Sequence, residues 1–424
     1  MALNYTKKIL PSGMRVILIP QKESVAATVL VMVEAGSKYE TKEINGISHF
    51  LEHLCFKGTT QRPTAMAISG ELDGMGAEYN AFTSQEWTGY FAKVEAHKVE
   101  KALDLISDLY LNPVFNPAEI EKEKGVVIEE MHMYEDLPPR RVHDFFMELL
   151  YGDQPAGWKI DGKKEVIQKV TREEVVSYRK AHYVPAATVI VIAGAFNEKK
   201  IFAEIKQRFG TMKDGKKSGK VPTKEQQKKP AVLVKHKESD QTHLVLGCRA
   251  FDMYDKRRYA LEIFSDVLGG GMSSRLFQRV REELGAAYYV KASADLFTDH
   301  GFLSVAVGAE HGKLFPVIDA ILKELKNLRD VAISKEELQR AKDHLAGRLL
   351  LGLETSDSLA TYYGGQEIVH APLETPEELL KQVYAVTSKD VQNVAKFLVK
   401  NEKLNCALIG PLKDEAKLKK ALHF

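Results

Sequence analysis

The 424-residue chain has only three cysteines, Cys55, Cys248 and Cys406, none in a CxxC spacing. So sparse and odd a set excludes a disulfide framework or a cysteine-built metal site, and it suits free thiols in a reducing compartment. Long apolar runs are absent as well: nothing approaches the ~18 residues of a membrane span. The opening MALNYTKKILPSGMRVILIP has no apolar core followed by a small-residue cleavage site,. A cytoplasmic chain without membrane association is the expectation. Nor does one sign of charge dominate. Sixty Lys and Arg stand against 58 Asp and Glu, for a net charge of +2 and a pI near 8.1. No global field selects nucleic acid or an anionic surface, so neither is expected as a partner.

What is present is length enough for two domains, each able to bury most of its apolar surface. Strand-like runs such as MRVILIP, ATVLVMVEAG, EWTGYFAKVE and ATVIVIAGAF alternate with helical patterns. Residues 212–230, MKDGKKSGKVPTKEQQKKP, then turn polar and lysine-rich, a linker composition,. The same order of elements resumes afterwards. VTREEVVSYRKAHY opens on a capping box, Thr171 with Glu174, and VTSKDVQNVAKFLV opens on the acidic variant Thr387 with Asp390,. Thr171 and Gly194 are 23 residues apart, as are Thr387 and Gly410, so one offset of 216 aligns both features,. The spacing predicts a duplicated α+β domain: residues 1–211, a linker over 212–230, and a second copy over 231–424. Each copy is expected to pair a mostly antiparallel sheet with helices, a duplicated α/β roll.

The stretch SHFLEH places His49 and His53 four residues apart with Glu52 between them. Asn45 is a good N-cap, and Ile47, Phe50, Leu51 and Leu54 supply a helical apolar stripe, so the two imidazoles project side by side. Two histidines one turn apart can supply two of the three protein ligands of a catalytic zinc, with Glu52 placed to take a proton from water. Two solvated surface histidines would share this spacing, so a third ligand decides. In the second copy the offset sets Ser265, Leu268 and Gly269 against His49, Glu52 and His53, so that copy carries no such site.

The segment PAEIEKEKGVVIEEMHMYED offers the third ligand. Successive residues of a helix are about 100° apart, which gathers Ile120, Val126, Val127, Met131, Met133 and Tyr134 on one broad face. Glu123 and Glu130 fall in the middle of that face, whereas Glu129 and His132 fall toward the polar side. A carboxylate among apolar side chains needs a compensating cation or donor, so Glu123 and Glu130 are the candidates.

With HFLEH and EKGVVIEEMHMYED in place, the sequence resembles the inverted-motif zinc peptidases of the pitrilysin and insulinase family. Within it, the half-length branch that includes the catalytic subunit of mitochondrial processing peptidase and its bacterial relatives is the most similar. LPSGMRVILIP, GISHFLEHLCFKGT, GAEYNAFTSQEWTGYF, VTREEV and LGGGMSSRLFQRVREELGAAYYV carry the resemblance nearly end to end. It implies that His49, His53 and Glu130 hold one Zn2+ per chain, that Glu52 is the general base, and that Glu123 supports the site from behind the ligands. It further implies that GAEYNAFTS is an edge strand onto which a peptide substrate adds, with Asn80 and Ala81 at the matching positions. Arg281 and Tyr288 match a pair that binds the substrate backbone, with Tyr288 also helping to stabilise the oxyanion.

The implied activity is a zinc-dependent endopeptidase acting on extended or unfolded peptides, with residues 1–211 as the catalytic zinc domain. Some members of the family are non-catalytic structural or partner subunits; those usually lack part of the motif, which is complete here. Half-length relatives pair around a chamber. A chain with both the zinc site and the Arg281 and Tyr288 pair is expected to form a homodimer, with a related chain as the alternative partner.

Overall fold

The computed structural model describes residues 4–212 and 215–424; positions 213 and 214, inside the lysine-rich stretch, lie outside the described residues. The fold is α+β, with two mostly antiparallel sheets. The first contains β1 (Thr6–Ile9), β2 (Arg15–Pro20), β3 (Ala26–Val33), β4 (Glu78–Thr83), β5 (Thr88–Glu95) and β6 (Thr188–Gly194) in the order β1-β2-β6-β3-β5-β4. The second contains β7 (Ala231–His236), β8 (Thr242–Arg249), β9 (Ala287–Leu296), β10 (Gly301–Ala309) and β11 (Leu404–Gly410) in the order β7-β11-β8-β10-β9. From β2 onward the two orders are the same. Each sheet also has one parallel pair in the same place, β2 with β6 and β7 with β11.

The offset of 216 holds at element boundaries. The Arg172–His182 helix leads into β6 as the Ser388–Leu398 helix leads into β11. Both helices open on complete capping boxes, Thr171 with Glu174 and Thr387 with Asp390.

Strands β3 and β6 read as continuous apolar runs because helices cover both faces of their sheet, leaving no wet side to demand alternation. On one face, Val29, Val31 and Val33 share one core with α1 (Ile47–Cys55), α2 (Ala65–Met75) and α3 (Val99–Leu111). On the other, the Ser356–Ile368 helix lies against β3 and β6. In the second sheet α5 (Pro138–Tyr151) plays that part, with Val142, Phe146 and Leu150 against Val245 and Ala407.

The compact units therefore differ from the two halves of the chain. One comprises Met1–Met131, Lys159–Val221 and Leu350–Glu377; the other comprises His132–Trp158, Pro222–Leu349 and Glu378–Phe424. Each half lends a covering helix to the other half's sheet, which the continuous ranges 1–211 and 231–424 do not capture. The lysine-rich stretch also does more than link: Lys217 pairs with Glu34 at 2.5 Å, and Lys220 pairs with the buried Glu86.

Candidate metal and proton-transfer site

Helix α1 starts differently from the sequence expectation. Its N-cap is Gly46, at a φ of +102° that favours glycine, and not Asn45,. The Asn45 side chain instead donates to Glu40 Oε2 at 2.9 Å, and the backbone N–H groups of Gly46 and Ser48 donate to the same carboxylate at 2.7 and 2.8 Å. A buried acid six to eight residues upstream thus serves the donors at this end of the helix,. Burial pushes Glu40 up to about 7, against the lowering effect of the bonds from Ser48, Gly46 and Asn45. Ile47, Phe50, Leu51 and Leu54 are at most 1% exposed, and each contributes roughly 2 kcal/mol of transfer free energy,. Anchored on that face, α1 turns His49 and His53 toward α4 (Pro117–Glu135).

There the two imidazoles meet Glu130. His49 Nε2 and His53 Nε2 are 3.3 Å apart, and Glu130 Oε2 lies 3.8 Å from the first and 3.5 Å from the second. Among the described residues these three form the group of His, Cys, Asp or Glu side chains able to share an ion. Ligand atoms bound at about 2.0–2.1 Å in a tetrahedron stand roughly 3.3–3.4 Å apart, so the separations and the donor set both fit zinc.

On α4 the wheel separates Glu123 and Glu130 from Glu129 but fails at two apolar positions. Glu123 is 3% exposed, Glu130 is half-buried and Glu129 is exposed. Val126 and Met133, expected on the inner face, are 51% and 52% exposed: the contact stripe through Ile120, Glu123, Val127 and Met131 is narrower than the apolar residues suggest.

Behind this group, Glu123 Oε1 accepts from His53 Nδ1 at 2.9 Å and Oε2 pairs with Lys57 Nζ at 2.6 Å. Burial pushes the Glu123 carboxyl up, but the bonds from His53 and Lys57 outweigh it and hold it below its ordinary value. For His53, burial lowers the pKa while Glu123, Glu52 and Glu130 raise it, with a net upward shift.

Glu52 is 9% exposed and accepts a 2.6 Å hydrogen bond from the Thr83 hydroxyl. Burial raises its pKa; Thr83 and His53 pull it down and Glu130 pushes it up, leaving it above the ordinary value. A carboxylate so placed is a better base than a solvated one.

Thr83 ends β4, which pairs only with β5 and so forms the edge of its sheet beside α1. Asn80 and Ala81 lie on this edge, where the Asn80 side chain accepts from the Ala81 N–H at 2.9 Å. Glu52, His53, Phe56, Ile68 and Tyr79 border a cleft of about 370 Å³ here. Cys55 is fully buried, 3.5 Å from the Tyr90 hydroxyl and outside the ligand group.

Arg281 and Tyr288 belong to the other compact unit. Arg281 lies in the Phe277–Glu283 π-helix with its guanidinium 5.5 Å from the Tyr288 ring, and Tyr288 is 76% exposed on β9. The sequence reading brought out neither Lys57, Thr83 nor Glu40. Thr83 was the most accessible of these, since strand alternation puts it on the same side of β4 as Ala81.

Residues 15–163 match the model of the insulinase family, peptidase family M16, and residues 169–345 match that of the peptidase M16 inactive domain. A Bacillus subtilis protein named as an uncharacterized zinc protease, YmxG, is 35% identical over 94% of this chain and 97% of its own. A Mycobacterium leprae protein with the same kind of name is 34% identical over 98% of this chain and 93% of its own. The fold is similar to that of a protease from Helicobacter pylori, with a TM-score of 0.90 and 23% identity over 97% of this chain and 100% of that one. This chain belongs to peptidase family M16, the pitrilysin and insulinase family, and to its half-length members.

Proposed function

We propose that the chain is a zinc-dependent endopeptidase that hydrolyses extended or unfolded peptides. The observation that carries this reading is the convergence of His49, His53 and Glu130 beside the buried carboxylate of Glu52. His49, His53 and Glu130 would hold one Zn2+, which when bound supplies a Lewis acid that polarises the scissile carbonyl and acidifies water. Glu123 accepts a hydrogen bond from the Nδ1–H of His53, which leaves Nε2 to ligate,. Glu52 accepts a proton from the attacking water as the new C–O bond forms. It then delivers that proton to the amide nitrogen as the C–N bond breaks, giving a carboxylic acid and an amine, between which the acid's proton passes to leave carboxylate and ammonium.

Strand β4 is an unpaired edge beside these groups, which supports addition of the substrate as an extra strand along Asn80 and Ala81,. Arg281 and the exposed Tyr288 are assigned to the substrate backbone, with Tyr288 also on the oxyanion, on their match to the family pattern. The same pattern supports a homodimer, or a pairing with a related chain, and three free buried thiols support a cytoplasmic setting,.

The test is cleavage of a quenched, unfolded peptide by the purified chain, with and without a chelator. Turnover that stops on chelation and returns with zinc is expected. Absence of turnover at full zinc loading would assign the chain to the non-catalytic partners of the family, and turnover by metal-free protein would overturn the zinc site.

A further inference from the structure

The second sheet has its own carboxylate and imidazole pair, between helices that follow the same chain order as α1 and α4. Asp266, on the Arg258–Gly269 helix, places Oδ1 2.7 Å from Nδ1 of His344 on the Lys335–Gly352 helix. In the tautomer that donates Nδ1–H to the carboxylate, Nε2 is the acceptor of the ring. This pair also accounts for part of the glycine run at 269–271. A Cβ at Gly270 would come within 2.2 Å of Asp266 Oδ1, and one at Gly271 within 3.3 Å of His344 Cε1. The chain closes this tightly over the pair only without side chains.

Beside the pair opens a cavity of about 310 Å³. Ser274 lines it, 6% exposed, with its Oγ buried and lacking a hydrogen-bond partner. A buried hydroxyl left unsatisfied is unfavourable, so a ligand that meets it is favoured. Arg340 stands exposed at the rim without an ion-pair partner among the described residues. The nearby Glu337 does not neutralise it, because Arg275 holds that carboxylate through two bonds of 2.7 and 2.8 Å. Val267, Met272 and Ala341 complete the wall with apolar surface.

We propose that this cavity binds the C-terminal residue of a peptide. The carboxylate meets Arg340 and the Ser274 hydroxyl, the amide N–H of the same residue donates to His344 Nε2, and its side chain lies against Val267 and Ala341. A free acid without an amide leaves Nε2 unmet, and an amidated peptide leaves Arg340 unmet. The site does not depend on the catalytic reading, because binding is measured without turnover.

The experiment uses the full chain carrying Glu52→Gln, with 13C at histidine Cε1 and the His344 resonance assigned through His344→Gln. It is titrated with N-acetyl-Ala-Ala, with the amide of that dipeptide and with propionate. A saturable shift of the His344 signal by the free-acid dipeptide is expected, with binding about tenfold or more weaker for the amide and for propionate, the loss of one charge-assisted or amide hydrogen bond. Arg340→Ala, at an exposed position that leaves the fold intact, should weaken the dipeptide by a similar factor, as should Ser274→Ala. No saturable shift, equal binding of acid and amide, or indifference to both substitutions would overturn the proposal. Propionate binding as well as the dipeptide would reassign the cavity to free small acids.

Discussion

Lys57 Nζ lies 2.6 Å from one oxygen of Glu123 while the other oxygen of that carboxylate lies 2.9 Å from His53 Nδ1. One buried acid thus stands between a cation and an imidazole of the proposed metal site, which accounts for a buried glutamate on α4. Glu123→Gln removes the charge that orients His53 and should lower zinc affinity about 10–100-fold. Lys57→Met should act in the same direction but less, since Lys57 acts only through Glu123. Zinc retention against a competing chelator measures both, and unchanged affinity in Glu123→Gln would remove its supporting role.

Glu129 and Glu130 are adjacent in sequence and opposite in consequence. Glu130 faces the histidines and Glu129 faces outward. Glu130→Gln should strip or greatly weaken zinc, because one of the three proposed protein ligands loses its charge. Glu129→Gln should stay within about 0.5 kcal/mol of native stability and keep its activity. Metal loss from the Glu129 variant alone would place the wrong glutamate in the site.

Thr83 ties the end of β4 to Glu52, the proposed base. Thr83→Val keeps the shape and removes the 2.6 Å bond to Glu52, a hydrogen bond to a charged group worth roughly 1.5–3 kcal/mol. A fall of about tenfold or more in kcat is expected, with KM little changed and Thr83→Ser restoring most of the rate. Loss confined to KM would mean that Thr83 serves substrate binding alone.

Much of this was legible in the sequence, and the failures have physical causes. The histidine pair was legible because residues four apart on a helix project side by side, whereas the helical wheel left both Glu123 and Glu130 as candidates and the choice of Glu130 came with the family resemblance. The duplication was legible because capping boxes and apolar strands are local signals that repeat. The helix exchange was not, because α5 and the Ser356–Ile368 helix carry apolar faces that say nothing about which sheet they cover. Glu40 was missed for a related reason. Asn45 has the right residue type for a local cap, but a carboxylate arriving from a preceding turn satisfies the helix N-terminus instead.

Glu40 also gives the fold a pH dependence. Its folded value of about 7 exceeds the ordinary 4.5, so the folded chain holds this proton more tightly than the unfolded one. The associated stability is full below about pH 4.5 and is lost as pH rises toward 7, on the order of 3 kcal/mol in all. Glu40→Gln lacks this titration. Unfolding midpoints from pH 5 to pH 8 should therefore shift in favour of the variant relative to the native chain as pH rises, and a constant gap would contradict a raised Glu40.

The most direct measurement joins zinc content and peptide hydrolysis in Glu52→Gln. If His49, His53 and Glu130 hold the metal and Glu52 moves the proton, the variant keeps one zinc per chain and loses turnover of a quenched unfolded peptide by about 100-fold or more. Loss of the zinc would make Glu52 a ligand, and retention of both zinc and turnover would leave the reaction without its base; either result contradicts the division of roles on which the peptidase reading rests.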